Sequence, residues 1–299
     1  MGSASAGSAD HAGGHGEPAV IVLPDPAGVS WAAAERIAVA LTAAVEARGV
    51  AHLATTGGST PIGIYRHLAS EALAGRVPWE QVHVWFGDDR FVPRDHPLSN
   101  VLPVDQVLMA DAAFTGQSGS GASGIDVEVG RTPAILLPLD HIHPFPCGAA
   151  IADSRGAGWC AGTYAEEIER EVPSDAGGWP VFDLVLVGIG PDGHLLSVFP
   201  GSEALGSSAR ALGIPAPSHV EPHVERVTLN PAILASARGV QVIVHGAAKA
   251  QILGTIFGPE IEPGRWPAQL ARRSSATWLL DAAAAGDLSP SVTQARSDR

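Results

Sequence analysis

The sequence is poor in cysteine, in basic residues and in long apolar runs. Its two cysteines, Cys147 and Cys160, do not form the disulfide framework of a small secreted domain, and they predict a reducing, cytoplasmic location. Lysine and arginine number 18 against 31 acidic residues, and this balance argues against a nucleic-acid surface. No apolar run approaches the ~20 residues that a membrane helix needs, so we expect no membrane association.

The chain is long enough for one large domain with a buried core, because it has 299 residues. We expect a single α/β domain over residues 18–290. Residues 1–17, rich in Gly, Ser, Ala and His, predict a disordered tail, and 291–299 predict a flexible C-terminal tail. A Gly/Ser-rich stretch near 114–131 predicts a flexible loop inside the domain.

Short apolar runs alternate with segments of helical periodicity. Strands are predicted at 19–23, 52–56, 82–87, 182–189, 240–245 and 276–281, and helices at about 30–49, capped by Ser30, at 61–73 and at 247–257. Several strands are apolar on both faces, which indicates a mostly parallel sheet with helices on both faces. In such sheets the ligand lies beyond the carboxyl ends of the strands, so functional residues should follow strands.

The first candidate site follows the second predicted strand and contains Gly57, Gly58, Ser59 and Thr60. Two glycines allow a ligand to approach the backbone closely, and Pro61 suits the first turn of a helix. The N–H groups at a helix start bind phosphate well, and the two hydroxyls add donors. A tight turn without a ligand explains this segment equally well when it is taken alone.

Two further clusters carry basic side chains after predicted strands. In Asp88-Asp89-Arg90 the guanidinium can grip a phosphate, with either aspartate holding it in place. In Gly246-Ala247-Ala248-Lys249 the lysine stands in the first turns of a predicted helix, where its charge opposes the helix dipole unless an anion is bound. A surface ion pair and a solvated lysine are the alternative interpretations.

The most informative segment runs from Gly188 to His194, where an apolar strand ends in glycines. Histidine suits proton transfer near neutral pH, so His194 can activate a water molecule. Asp192 can orient its ring or bind a sugar hydroxyl, and backbone N–H groups around Gly190 and Gly193 can stabilise an oxyanion. A solvated turn is the alternative, but three glycines and an acid around one histidine favour a site.

These blocks, in this order, resemble the 6-phosphogluconolactonase family, from about residue 19 to 288. The resemblance also includes Val92-Pro93, Ser99-Asn100, 197–201, Arg226-Val227-Thr228 and 278–284. It implies a Rossmann-like α/β fold and hydrolysis of 6-phospho-D-glucono-1,5-lactone to 6-phosphogluconate in the oxidative pentose phosphate pathway, without a metal or an organic cofactor. It further implies that His194 activates water, and that Arg90, Lys249 and residues 58–60 bind the phosphate. We count Asp192 with His194 as catalytic, and we include Gly57, Asp89, Gly190, Gly193 and Arg226 among the substrate-binding residues.

The chain departs from the family pattern at three places. The family more often has Asp-Glu-Arg where this chain has Asp88-Asp89-Arg90, a loss of one methylene with the charge kept. It usually has Thr-Ala-Ser-Leu-Phe-Pro after the histidine, where this chain has Leu195-Leu196-Ser197-Val198-Phe199-Pro200, so a possible hydroxyl donor is absent. The region from 114 to 158 also looks longer than is usual in the family.

Three alternatives remain open at this point. A glucosamine-6-phosphate deaminase or isomerase would share the phosphate loop, but such relatives carry a glutamate in the loop that corresponds to Phe199-Pro200-Gly201. A non-catalytic sugar-phosphate sensor would keep the basic residues and would not need His194. A zinc site could use His141, His143, Cys147 and Cys160, although their spacing matches no standard pattern.

Overall fold

The computed structural model describes residues 16–58, 60–109 and 137–293. The Gly/Ser-rich stretch at 114–131, Ser59 and most of the two terminal tails therefore lie outside the described residues. Glu17 forms an ion pair with Arg272, and a helical turn, Pro290–Thr293, contacts the first strand of the sheet. The described chain thus extends three residues into the expected C-terminal tail.

A seven-stranded sheet forms the centre of the fold, and all of its pairings are parallel. We number the strands along the chain, so that its spatial order is β1-β10-β9-β6-β2-β3-β5. Its members are β1 (Ala19–Leu23), β2 (Ala51–Thr55), β3 (Val82–Phe86), β5 (Ile142–His143), β6 (Leu184–Val187), β9 (Val240–Val244) and β10 (Ala276–Asp281).

Eight helices lie around this sheet within the described residues. The longest, α1 (Pro26–Arg48), contacts strands β1, β2, β6, β9 and β10. The others are α2 (Thr60–Leu68), α3 (Leu102–Val107), α4 (Cys147–Ala152), α5 (Ala157–Glu171), α6 (Ile233–Ser236), α7 (Ala250–Ile256) and α8 (Pro290–Thr293). The predicted α/β fold with a mostly parallel sheet is confirmed.

A second, antiparallel sheet of three strands was not predicted. It consists of β4 (Asp88–Arg90), β8 (Arg226–Leu229) and β7 (Ala211–Ile214), with β8 in the middle. The Asp88-Asp89-Arg90 segment is therefore a short strand rather than a loop. Three residues are too few to show the alternation that identifies a strand.

Helix α1 corrects two sequence-based predictions. It begins at Pro26, and its N-cap is Asp25, whose carboxylate accepts the N–H of Gly28 at 2.8 Å. Ser30 instead lies inside the helix, where its hydroxyl donates to the carbonyl of Pro26. The helix is also long and apolar enough to cross a bilayer by length and composition, which the sequence analysis did not anticipate. Its apolar face, however, is buried against the parallel sheet.

The other predicted helices are shorter than expected. Helix α2 ends at Leu68 rather than at 73. The helix predicted from 247 divides into a 3₁₀ turn, Ala247–Lys249, and α7. Gly49 does end α1 as predicted, because its φ of 77° suits the left-handed position after a helix.

Four histidines lie close together where β2, β3 and β5 are neighbours: His52, His83, His141 and His143. Nδ1 of His83 lies 2.9 Å from Nε2 of His143, and the ring of His141 stacks on that of His83 at 4.0 Å. Nδ1 of His143 bonds Glu167, while Sγ of Cys147 lies 3.6 Å from Sγ of Cys160. Of the residues in the zinc hypothesis, His141 and His143 thus contact His83, whereas Cys147 and Cys160 contact each other. The described part of the chain holds no cluster suited to a metal.

His83 makes the stability of the fold depend on pH. Burial, and then the charges of His141, His52 and His143, lower its pKa to about 4 from an ordinary value of 6.5. As the pH falls, the unfolded chain therefore binds a proton at His83 before the folded chain does. The stability contributed by neutral His83 is present above pH 6.5 and is lost as the pH falls towards 4. We expect His83→Gln to flatten the decrease of Tm between pH 7 and pH 5. Thermal melts test this, with His223→Gln as the control, and equal slopes in all three proteins would refute it.

Candidate active site

A cleft of about 290 Å³ opens at the carboxyl ends of β2, β6 and β9. The antiparallel sheet forms one of its walls, through residues of β4 and β8. The cleft is lined by Thr56, Gly57, Gly58, Thr60, Asp88, Arg90, Asn100, Gly188, Ile189, His194, Leu196, Arg226, Ile243, Val244, His245 and Lys249. The sequence-predicted residues that follow separate strands therefore share one site.

The glycine loop between β2 and α2 lies against Asn100. A Cβ on Gly57 would overlap the side-chain amide of Asn100, so only glycine fits at this position. Gly58 has a φ of 93°, a backbone conformation that residues other than glycine rarely adopt. The hydroxyl of Thr60 lies 2.8 Å from Nε2 of His245. The loop thus presents backbone and a hydroxyl to the cleft.

Asn100 connects this loop to Arg90. Its Oδ1 accepts a 2.6 Å hydrogen bond from Nη1 of Arg90, which also donates to the carbonyl of Leu98 at 3.0 Å. The Nδ2 group of Asn100 donates to the carbonyl of Asp88. These bonds fix the direction in which the Arg90 guanidinium enters the cleft.

Asp89 holds this arrangement from outside the cleft. Its carboxylate accepts the N–H groups of Asn100 at 2.7 Å and Arg90 at 2.8 Å, and the hydroxyl of Ser99 at 3.1 Å. Burial raises its pKa to about 7, although these donors oppose the shift. Asp89 does not line the cleft, so the structure gives it a positioning role where the sequence analysis expected substrate contact.

Arg90 and Arg226 are direct partners across the β4–β8 ladder. Like charges at opposed positions of a sheet destabilise it unless an anion lies between them. Burial, and then the charge of Arg90, lower the pKa of Arg226. The Nε atom of Arg90 is buried and has no hydrogen-bond partner. This arginine pair is therefore suited to an anionic group in the cleft.

Lys249 is the only lysine in the chain, and it lies at this cleft. Its Nζ donates to the carbonyl of Ile189 at 2.9 Å, which brings the ammonium close to the turn that carries His194. Burial lowers the pKa of Lys249, while the charge of Asp192 opposes that shift. A third cation thus lines the same cleft as the two arginines.

His194 and Asp192 form a hydrogen-bonded pair. Oδ1 of Asp192 lies 2.6 Å from Nδ1 of His194, and it also accepts the backbone N–H of His194 at 3.2 Å. Burial alone would raise the pKa of Asp192, but the bonds from His194 and His219 outweigh burial and hold it below its usual range. An ionised carboxylate can only accept, so the proton lies on Nδ1 and Nε2 carries a free lone pair.

The two glycines of this turn shape the site rather than contact the cleft. The N–H of Gly193 donates to the carbonyl of Gly190 at 3.1 Å, and the N–H of Gly190 donates to that of His194 at 2.8 Å. Both donors are therefore engaged within the turn, contrary to the expectation that they stabilise an oxyanion. A Cβ on Gly190 would overlap the His194 ring. Gly190 is needed because the ring packs on its Cα.

Gly190→Ala tests this packing. We expect kcat of the reaction proposed below to fall by about 100-fold, because a displacement of about 1 Å at a reacting group can cost that much. The fold should survive, since the added methyl displaces a side chain at the rim of the cleft. Gly162→Ala is a matched control, because a Cβ on Gly162 meets nothing within 4 Å. Full activity in Gly190→Ala would contradict the packing argument.

Several lining residues were absent from the predicted site. Asp88 was considered only as a support for Arg90; its Oδ2 accepts the hydroxyl of Ser197 at 2.6 Å. Thr56 and His245 lie at or just beyond the ends of β2 and β9. Their position after a strand was the only signal available. Ser59 lies outside the described residues, so its predicted contact remains a prediction.

A family model described as glucosamine-6-phosphate isomerases/6-phosphogluconolactonase matches residues 24–279. The chain belongs to this family. It is 35% identical over 251 residues to a 6-phosphogluconolactonase of Synechocystis sp., covering 84% of this chain and 90% of the relative. It is 31% identical over 271 residues to one of Nostoc sp., covering 90% and 98%.

Solved structures agree with the fold and with this assignment. The 6-phosphogluconolactonase from Trypanosoma cruzi superimposes with a TM-score of 0.73 at 28% identity, covering 91% of this chain and 97% of that one. A monomeric glucosamine-6-phosphate deaminase superimposes with a TM-score of 0.67 at 16% identity, which shows only that the two share a fold.

Proposed function

We propose that the chain is a 6-phosphogluconolactonase, which hydrolyses 6-phospho-D-glucono-1,5-lactone to 6-phosphogluconate in the oxidative pentose phosphate pathway. The observation that carries the proposal is a histidine with a free Nε2, oriented by a carboxylate, in the same cleft as two opposed arginines and a lysine. The histidine and its carboxylate suit the activation of a water molecule, and the three cations suit the binding of a phosphate. The names of the relatives support this substrate.

The phosphate of the substrate is bound by Arg90, Arg226 and Lys249 together with the loop at residues 57–60. Arg90 arrives preoriented by Asn100, so little side-chain entropy is lost when the phosphate binds. The dianion offsets the repulsion between the paired guanidinium groups. Binding the non-reacting end of the substrate in this way positions the lactone carbonyl near His194.

His194 is the general base. Its Nε2 removes a proton from water as the water oxygen attacks C1 of the lactone, and Asp192 stabilises the imidazolium that forms. When the tetrahedral intermediate collapses, the bond from C1 to the ring oxygen breaks and the histidine returns the proton to that oxygen. One water is consumed and no electrons are transferred, so the step needs no redox cofactor.

The deaminase alternative is less well supported by the cleft. Asp88 is the only carboxylate among the described residues that line it, and its side chain bonds Ser197. Phe199 packs against the His194 ring at 4.7 Å, in the loop where such relatives carry a glutamate. Ring opening with loss of ammonia would lack that acid. The sensor alternative leaves the His194–Asp192 pair without a use.

A cytoplasmic location and a single catalytic unit over residues 18–290 are parts of the same proposal. The two cysteines are free and buried, which supports a reducing compartment. The cleft draws its residues from Thr56 to Lys249, which supports one unit.

The test is lactone hydrolysis in vitro. Glucose-6-phosphate dehydrogenase generates the lactone, and 6-phosphogluconate dehydrogenase reports the product. We expect acceleration above the spontaneous rate, in proportion to the protein added. No acceleration would sink the proposal, and release of ammonia from glucosamine 6-phosphate would then establish the deaminase alternative.

A further inference from the structure

His194, Asp192, His219 and Phe199 form a closed ring of side-chain contacts. Nε2 of His219 lies 3.1 Å from Oδ2 of Asp192, the carboxylate oxygen that His194 does not use. The His219 ring packs edge-on against Phe199 at 5.6 Å, and Phe199 packs against the His194 ring at 4.7 Å. Each member of the ring therefore contacts two others.

We propose that His219 is a positioning residue for this reaction, acting on His194 through Asp192. The proposal rests on the hydrolytic function proposed above. Asp192 lies in a glycine-flanked turn and is one-fifth exposed, so its carboxylate needs a second anchor to resist rotation towards water. His219 supplies that anchor at Oδ2 and leaves Oδ1 facing Nδ1 of His194.

The segment that carries His219 also contacts Arg226. His219 belongs to the segment 215–225, which connects β7 to β8. Arg226 donates to the carbonyls of Pro222 and Val224 in the same segment. The segment that places His219 on Asp192 is thereby tied to one of the phosphate-binding arginines.

The experiment compares His219→Ala and His219→Gln with the wild type. In His219→Ala we expect kcat to fall about 5- to 50-fold with KM within about twofold, because the hydrogen bond to Oδ2 of Asp192 is lost and the base is misaligned. His219→Gln should recover most of kcat, since its amide N–H can still donate to Asp192. Proton release in a pH-stat, corrected for spontaneous hydrolysis, gives kcat and KM for the wild type and for both variants.

His223→Gln is the matched control, because His223 lies on the same segment and contacts Pro217 and Glu221 rather than Asp192. It should behave as the wild type. The proposal is overturned if His219→Ala keeps wild-type kcat, or if His223→Gln loses as much kcat as His219→Ala does. It is equally overturned if Gln does not improve on Ala.

A spectroscopic readout separates this proposal from the lactonase proposal. In protein labelled with ¹⁵N-histidine, the Nδ1–H signal of His194 is identified by its loss in His194→Gln. We expect that signal to be retained in His219→Gln and to broaden through faster exchange in His219→Ala. A wild type without lactonase activity whose signal still depends on His219 would refute the function and leave the positioning role standing. A signal unaffected in His219→Ala would refute the positioning role.

Discussion

His194→Gln is expected to lower kcat for lactone hydrolysis by about 10²- to 10⁴-fold, the usual contribution of a positioned general base. KM should change little, because the phosphate contacts are made by other residues. Glutamine keeps a side chain of similar size that can still donate to Asp192, so the loss reports the missing Nε2 lone pair rather than a cavity. The initial rate above the spontaneous rate is the measurement.

Two controls make this result specific to His194. His223→Gln removes a histidine that does not line the cleft, and it should leave the rate unchanged. Calorimetric titration with 6-phosphogluconate should show that His194→Gln binds the product as the wild type does. A variant that binds product and retains full turnover would show that another residue activates the water.

Arg226→Gln is expected to raise KM by about 10- to 150-fold, because a hydrogen bond to a charged group contributes about 1.5–3 kcal/mol. Arg226 is buried beside Arg90, so the remaining arginine cannot replace its contact from the same direction. The change in kcat should be smaller, since the His194–Asp192 pair is untouched. Steady-state kinetics over a wide range of lactone concentrations separates the two parameters.

Inorganic phosphate gives a second measurement for Arg226 that does not involve turnover. Phosphate should raise Tm of the wild type, because an anion that binds only the folded state stabilises it by mass action. The increase should shrink in Arg226→Gln and persist in Arg155→Gln, whose arginine stacks on Trp159 away from the cleft. Equal increases in all three proteins would place the phosphate elsewhere.

The parallel sheet could be predicted from sequence because most of its strands are short, largely apolar runs, and the inner ones are buried on both faces. Strands β1 and β10 were predicted with their observed bounds. The antiparallel sheet was missed because β4, β7 and β8 have three or four residues each. Their pairing depends on contacts between distant parts of the chain, which local periodicity does not reveal.

The candidate site, too, could be predicted from sequence only in part. Residues after strands could be predicted as site residues, because the carboxyl ends of parallel strands meet at one edge of a sheet. What each side chain does there depends on which way it points. Adjacent residues Asp88 and Asp89 differ in this respect: alternation along β4 places Asp88 in the cleft and turns Asp89 towards Asn100 and Ser99.

His219 could not have been assigned from sequence, because 25 residues separate it from His194 and no strand precedes it directly. Only the folded path of segment 215–225 brings its ring to Asp192. A histidine in a proline-rich segment is usually only a solvated side chain. The contact of His219 with Oδ2 of Asp192 is what indicates a role in the site.

The presence of a single lysine makes the cleft chemically addressable. Apart from the chain's α-amino group, Lys249 is the only primary amine available to acylating or reductive-alkylating reagents. Its lowered pKa increases the fraction of unprotonated, nucleophilic amine at neutral pH. The extent of modification at Lys249, read on the peptide that contains it because the α-amino group reacts as well, therefore reports the fraction of unoccupied clefts. A ligand that fills the cleft would be detected by protection, with no assay of turnover.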